Sequence, residues 1–570
     1  MIDLKRPASP TESEKRKAPR VSGRSGLSGG RSSLPAWILP MLTWMLLAVG
    51  LASGVTRTWT GAGIDNNWST GGNWGGTAPA AGDDIVFAGT TRLAPVNNLT
   101  ADMAFNSISF GAGAGPFVVT GNSVVLTGGA LAIANNVTGN TINLSLPITF
   151  STSAPIISSI SGGMLVLGGA IGNGGLLVTV SCAGNVDITG VLSGTGGLTK
   201  TNNGFLKLSG ANTYSGTTDV SSGMLVLNNT SALGATSSGT TLSAGAAMDL
   251  NGLSYTSAEP LTLNGIGPSN IGALVNSLAT PASFAGLITL GSATSIIGQS
   301  GTINLPNTGS ISGPYGLTLG GAQGGFIAST LNGGILSKND AGTWTLSGSN
   351  SISLSSLTLT AGTLNLGSGL THSVSSTLSI SGGTLDFGSS TLQLSMSSAD
   401  FSGLTALTAG TGTLAFISSS AQAFIPLSSA TFPAITKSGT GTITLNSNLT
   451  AASLAMNGGT WDWSAYTHTL GAITTTAGTM AFNTATINVS GNCNLSGLGS
   501  ITNTSGHLKF NGSSAQTFTP KSGSTHPDVD KTSTGTLSVS GAVTMGALTI
   551  SGGTWNWPNS SVINTMASLI

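Results

Sequence analysis

Charge is scarce in this 570-residue chain, at 6% of residues, and long apolar stretches are scarcer still. Low charge raises the prospect of a membrane protein, but one segment alone is continuously apolar. Elsewhere apolar residues alternate with Ser, Thr, Asn and Gly, the pattern of half-buried strands with polar turns. Only 20 prolines accompany 85 glycines, and glycine follows no every-third rule, so a collagen is excluded. The two cysteines, Cys182 and Cys493, stand in no Cys-x-x-Cys or Cys/His spacing, so no metal site is expected at them. Beyond residue 35 the arginines number two, Arg57 and Arg92, with no basic stripe, so no nucleic-acid partner is expected.

The zero net charge hides an asymmetry. Residues 1–35 hold eight Lys/Arg against three Asp/Glu, and the remainder holds nine against fourteen. The basic tail precedes the one apolar run, AWILPMLTWMLLAVGLASG from Ala36 to Gly54. A basic lead, an apolar stretch and a small-residue end form an export signal, with cleavage expected near Ala52 or Gly54. The run is just long enough to span a bilayer instead, as an uncleaved anchor. Either way this segment engages the inner-membrane export machinery, and residues 55–570 are exported.

Internal repetition is the strongest signal in the rest of the chain. Two apolar residues flanking one of any type recur after a glycine, at Leu165/Leu167, Val186/Ile188, Leu206/Leu208, Leu225/Leu227 and Met248/Leu250. The unit returns at Trp344/Leu346, Leu364/Leu366 and Leu385/Phe387, then from Leu414/Phe416 to Trp555/Trp557. Successive first members lie about 20 residues apart, the period of a stacked repeat. Wider steps begin between Leu385 and Leu414 and are expected to carry bulging loops. The middle residue is often charged or amidic, as at Asp187, Lys207, Asp249, Asp386, Asp462 and Lys509. Strand alternation then turns the apolar pair inward and the polar residue to water.

Longer repeats overlie the short one. GGLTKTNNGFLKLSG from Gly196 returns in altered form as GGILSKNDAGTWTLSG from Gly333, with Lys200 aligned on Lys338. SSAQAF, TKSGTGTITL and GGTWDW return as SSAQTF, DKTSTGTLSV and GGTWNW, all at one offset. This 94-residue repeat aligns Lys437 on Lys531. A unit of about 20 residues cannot bury its own apolar face, but stacked units can. The fold expected is therefore all-β, a parallel β-helix of about 25 coils at roughly 4.8 Å per coil. A repetitive β-sandwich array is the alternative for residues 400–570.

The stretch from Gly194 to Gly234, GTGGLTKTNNGFLKLSGANTYSGTTDVSSGMLVLNNTSALG, resembles the autotransporter-associated β-strand repeat. TWTGAGIDNNWSTGGNWGG, Thr58 to Gly76, with DDIVFAG after it, is similar to the start of such passengers. The resemblance implies a right-handed β-helix displayed at the cell surface or released outside it. The organisation expected is a basic, disordered segment 1–35, a signal or anchor helix 36–54, capping coils 55–135, a β-helix 136–400, and a 94-residue-repeat solenoid 401–570. Autotransporters end in a membrane barrel of alternating strands, and GGTWNWPNSSVINTMASLI still reads as repeat. A barrel or another anchoring partner outside this sequence is thus expected.

Candidate chemistry is thin. The close acid pairs are Asp83/Asp84, read as a strand-entry turn, and Asp528/Asp530 beside Lys531, where a weak cation site competes with a solvated loop. His372, His468, His507 and His526 have no ligand-spaced partners and read as polar surface or turn residues. Trp59, Trp68 and Trp74, near Asp65, either form a sugar-stacking face or cover the first coil. No catalytic, cofactor or metal residue is assigned. The function expected is a structural or adhesive surface protein, with glycans or other cell-surface components as partners. The alternative is a carbohydrate-binding or polysaccharide-degrading exoprotein. N-terminal sequencing of the exported chain should begin near Val55; an intact Met1 would contradict cleavage.

Overall fold

A computed structural model describes residues 54–129, 131–151, 154–348, 351–502, 505–557 and 565–570. The basic tail and nearly all of the apolar run lie outside the described residues. Among the described residues no helix is long and apolar enough to cross a membrane.

From Gly54 onward the chain winds as a parallel β-solenoid of about 22 turns. Three ladders form its sides. One starts at Thr56–Trp59, which pairs with Asp84–Phe87, then Ser107–Phe110, then Ile133–Asn135. A second runs through Thr141–Leu144, Met164–Leu167, Asn185–Ile188, Phe205–Leu208 and Gly223–Leu227. The third comes in pieces, from Met103–Phe105 to Leu192–Ser193 and from Ser254–Tyr255 to Ala406–Thr408. Pairings within residues 401–570 are parallel too, as between Thr467–Ala481 and Thr486–Val489, so no sandwich forms there. The turn count falls below 25 because the early coils are long. The coil that brings Thr56 against Asp84 takes far more chain than the one that brings Leu537 against Trp555.

Inward residues stack into continuous columns. Ile142, Leu165, Val186, Leu206, Leu225 and Met248 lie directly above one another, all fully buried. Each turn lends its apolar face to the next, so no turn is stable alone. Trp59, Trp68 and Trp74 close the first coils as an edge-to-face cluster over Phe87, which settles them as core rather than a sugar platform. Trp461 and Trp463 are likewise fully buried, but Trp555 is half-buried and Trp557 exposed.

The wide steps of the sequence unit are not bulging loops. Leu385 pairs with Leu407 across one ordinary coil, and Leu414 pairs back to Leu392 on the next side of the coil. The repeat unit therefore steps from one ladder to its neighbour. The 94-residue repeat is not a whole number of coils either. Lys437 stacks between Phe416 and Met456, whereas its equivalent Lys531 stacks between Phe510 and Ile550 in another ladder.

Those lysines expose a feature that the apolar pattern concealed. Lys200, Lys338, Lys437 and Lys531 occupy inward positions and are at most 1% exposed. Lys200 stacks between Val180 and Val220, and Lys338 between Leu319 and Leu359. Each stem fills a core column and each ammonium caps the corner that follows. Lys338 Nζ donates to the carbonyls of Asn339, Asp340 and Ala361 at 2.5, 2.7 and 3.0 Å. Lys200 Nζ donates to Asn202 O and Ser222 O, and Lys531 Nζ to Ser533 O and Oγ. Lys437 Nζ donates to Gly439 O. Burial lowers all four ammonium pKa values, that of Lys338 to about 8.

One coil above three of these ammoniums sits a left-handed glycine. A Cβ on Gly223, Gly362 or Gly459 would lie 2.5 to 2.6 Å from the lysine Nζ below. Their φ values of 72°, 66° and 63° suit glycine in any case. Lys338→Met should cost about 1–3 kcal/mol by orphaning three carbonyls. Gly362→Ala should cost about 1–2 kcal/mol or more through its φ and the contact with Lys338. Equilibrium urea unfolding measures both, and unchanged midpoints would contradict the corner's role.

Candidate functional site

Three of the four histidines occupy places opposite to those expected of polar surface residues, while His507 stays partly exposed. His372, His468 and His526 are at most 1% exposed, and each bridges backbone groups. His372 Nδ1 accepts from Ile352 N at 3.2 Å, and its Nε2 donates to Leu366 O at 2.8 Å. His468 repeats this between Leu449 N and Trp463 O. His526 reverses the ring, with Nε2 accepting from Lys521 N and Nδ1 facing Thr544 O. An accepting ring nitrogen requires neutral imidazole. Burial accordingly lowers all three pKa values, that of His468 to about 4. These are structural pins. Buried Gln422 and Gln516, equivalent in the 94-residue repeat, pin corners similarly through Met396 O and Gly491 O.

Asp83 and Asp84 face different ways, whereas Asp528 and Asp530 share the outer face of one strand. Asp83 is buried and takes hydrogen bonds from Val55 N, Ala80 N and Arg57 Nε, so it anchors a turn. Its neighbour Asp84 faces out and accepts from Asn106 and Ser107. Asp530 is covered by His507 at 3.2 Å and Lys509 at 3.7 Å, while Asp528 accepts from Ala547 N. The protein's own groups thus occupy both carboxylates. Among the described residues no three His, Cys, Asp or Glu converge to hold a metal. Asp249, expected to face water, lies 3% exposed beneath Ser277, which donates to it. Glu259 is also buried, bonded to Thr240 Oγ1 at 2.8 Å, and burial raises its pKa. Cys182 and Cys493 are free, buried and many coils apart; burial pushes the Cys182 thiol up to about 11.

What the solenoid offers to a partner is its outer surface. On the third ladder the outward residues Asn304, Phe326, Thr345, Asn365, Asp386 and Thr408 form one column. Beside it the corner is built from Gly348, Gly367, Gly388 and Gly410, all at positive φ. A Cβ on Gly388 or Gly410 would strike the carbonyl of the glycine one coil below. With no side chains along this corner, a groove of about 680 Å³ opens across four coils. It shares Thr345 and Ser347 with a second groove, of about 590 Å³, around Phe326 and Gln323. Ser368 and Ser389 hydroxyls join along its edge at 2.8 Å. Asn365 Nδ2 donates to Asp386 at 2.7 Å. No residue lining either groove is charged. Sequence reasoning missed this surface, because it depends on which coils stack their glycines.

Parts of this solenoid are similar to known passenger-type repeats. The passenger-associated-transport-repeat family matches residues 198–227, 336–366 and 387–411. The first two matches each begin on a strand that carries a buried lysine and end beyond the left-handed glycine one coil later. Two of the three matches thus span a lysine-capped corner with its glycine lid, whereas residues 387–411 hold no lysine. The chain is also similar to the adhesin BmaC autotransporter of Brucella suis biovar 1 (strain 1330), at 40% identity over 120 residues. That stretch is 20% of this chain and spans 3% of the adhesin's length. No solved structure matches the chain.

The histidine pins give the solenoid a pH dependence. Neutral in the fold and free to protonate when unfolded, they contribute stability that is present above about pH 6.5. It is lost as pH falls through the depressed folded values, near 4 for His468. Unfolding midpoints measured between pH 7 and 4 should fall, and His468→Gln should flatten part of that slope. A slope unchanged by the substitution would contradict the pin.

Proposed function

We propose that this chain is the non-catalytic passenger of a surface adhesin, an elongated repeat scaffold that holds contact surfaces away from the cell. The lysine-capped corners at Lys200 and Lys338 carry the reading, because both fall within passenger-type repeats. The adhesin match supports the adhesive role. An outer-membrane barrel, not contained in the described residues, would conduct and anchor it. Glycans or other components of an opposing cell surface are the partners that fit. The polysaccharide-degrading alternative has no support in the acids, which are dispersed or internally paired.

Display of residues 55–570 on a non-adherent bacterium, fused to an outer-membrane barrel, tests the proposal. Adherence to epithelial monolayers should rise several-fold, and the purified chain should release no reducing ends from a polysaccharide panel. Unchanged adherence, or turnover of a polysaccharide, would contradict it.

A further inference from the structure

We infer that the double groove on the third ladder, with Phe326 as its floor, binds a neutral linear glycan. This rests on the adhesive reading and names the site and ligand class within it.

Phe326 points outward from Gly324–Ile327, yet it is half-buried rather than packed in the core. Its in-register neighbours are Asn304 below and Thr345 above. Gln323, Thr343 and Ser347 complete the rim. An aromatic face ringed by amides and hydroxyls suits a pyranose, which presents apolar C–H faces and equatorial hydroxyls together. The glycine corner then extends the groove along the coil axis past Ser368 and Ser389. Coils recur at roughly 4.8 Å, close to the advance of a linear glycan per sugar, so successive rings meet equivalent hydroxyl rows.

Charge selects among glycans and other partners. No cation lines either groove, which disfavours sulfated or sialylated chains, nucleic acid and acidic peptides. Asp386, in the same outward column, is held by Asn365 Nδ2 and Gly388 N and adds only a negative sign. One aromatic ring among hydroxyls offers too little apolar area for a hydrophobic protein face. The long, open, neutral form of the groove leaves a neutral oligosaccharide as the occupant.

The test uses purified residues 55–570 with three probes: cellohexaose, maltohexaose and a heparin hexasaccharide. Calorimetric titration should detect at least one neutral hexasaccharide and no heparin binding. Phe326→Ala should weaken that binding about tenfold, as loss of a stacking anchor does. Gln323→Ala, at an exposed position, should weaken it less and leave the melting temperature unchanged. Should Phe326→Ala unfold locally, Gln323→Ala and Thr345→Val carry the test alone. Absence of neutral-glycan binding, preference for heparin, or binding indifferent to these substitutions would overturn the site. Adherence by displaying cells without neutral-glycan binding overturns this inference and leaves the adhesive proposal standing. Glycan binding without adherence does the reverse.

Discussion

Every coil must hydrogen-bond its backbone to the coil below and the coil above at strand spacing, and the rest of the structure answers to that constraint. Along the flat sides the ladders satisfy it. At the corners the chain bends, strand pairing stops, and buried carbonyls and amides need other partners. The sequence meets this need with side chains that an apolar core would ordinarily reject. Asn173 accepts from Gly175 N and Gly196 N and donates to Gly196 O. Asn212 ties Leu192 N to Ala232 O. Lysines, glutamines and neutral histidines do the same elsewhere. Glycine supplies the complementary half, because a corner stacked at this spacing leaves no volume for a Cβ above the cap.

The same constraint explains what could be read before the fold was known. Leu165-x-Leu167 and its relatives were legible because strand alternation has a fixed period of two. The usual coil length followed from their spacing. The wide steps were misread because a side chain can face inward on any of three ladders, so equal chemistry does not imply the same side. Leu414 and Leu385 belong to one sequence unit and to different ladders. The buried lysines did carry a signal: Leu198-x-Lys200, Leu336-x-Lys338, Ile435-x-Lys437 and Val529-x-Lys531 share the inward parity of their apolar partner. A glycine four positions after each lysine completes the mark. His372 and His468 carry the same parity with Val374 and Leu470. The glycine-cornered groove that adjoins Phe326 had no such signature, since its shape arises from glycines on four separate coils.

Function follows from what the constraint leaves over. Inward positions and corners are committed to holding coils together, and among the described residues they take four lysines and three histidines. The outward columns alone are free, and they are dominated by Ser, Thr, Asn and Gly. Such a surface is suited to contact rather than chemistry: neutral, hydroxyl-rich and repeated along the axis. Variation of outward residues, with corners retained, would change the partner without changing the scaffold.

The central claim is that coil geometry, rather than the spacing of the sequence repeat, sets which residues are neighbours. Two double-cysteine variants separate the alternatives at the first wide step. Asp386 and Thr408 are in-register, outward-facing partners on adjacent coils. Ala415 is the position that the repeat alone would place above Asp386, yet it pairs with Gln393. Under mild oxidation the Asp386→Cys/Thr408→Cys variant should form a disulfide and Asp386→Cys/Ala415→Cys should not. Cross-linking of the second pair instead of the first would contradict the account.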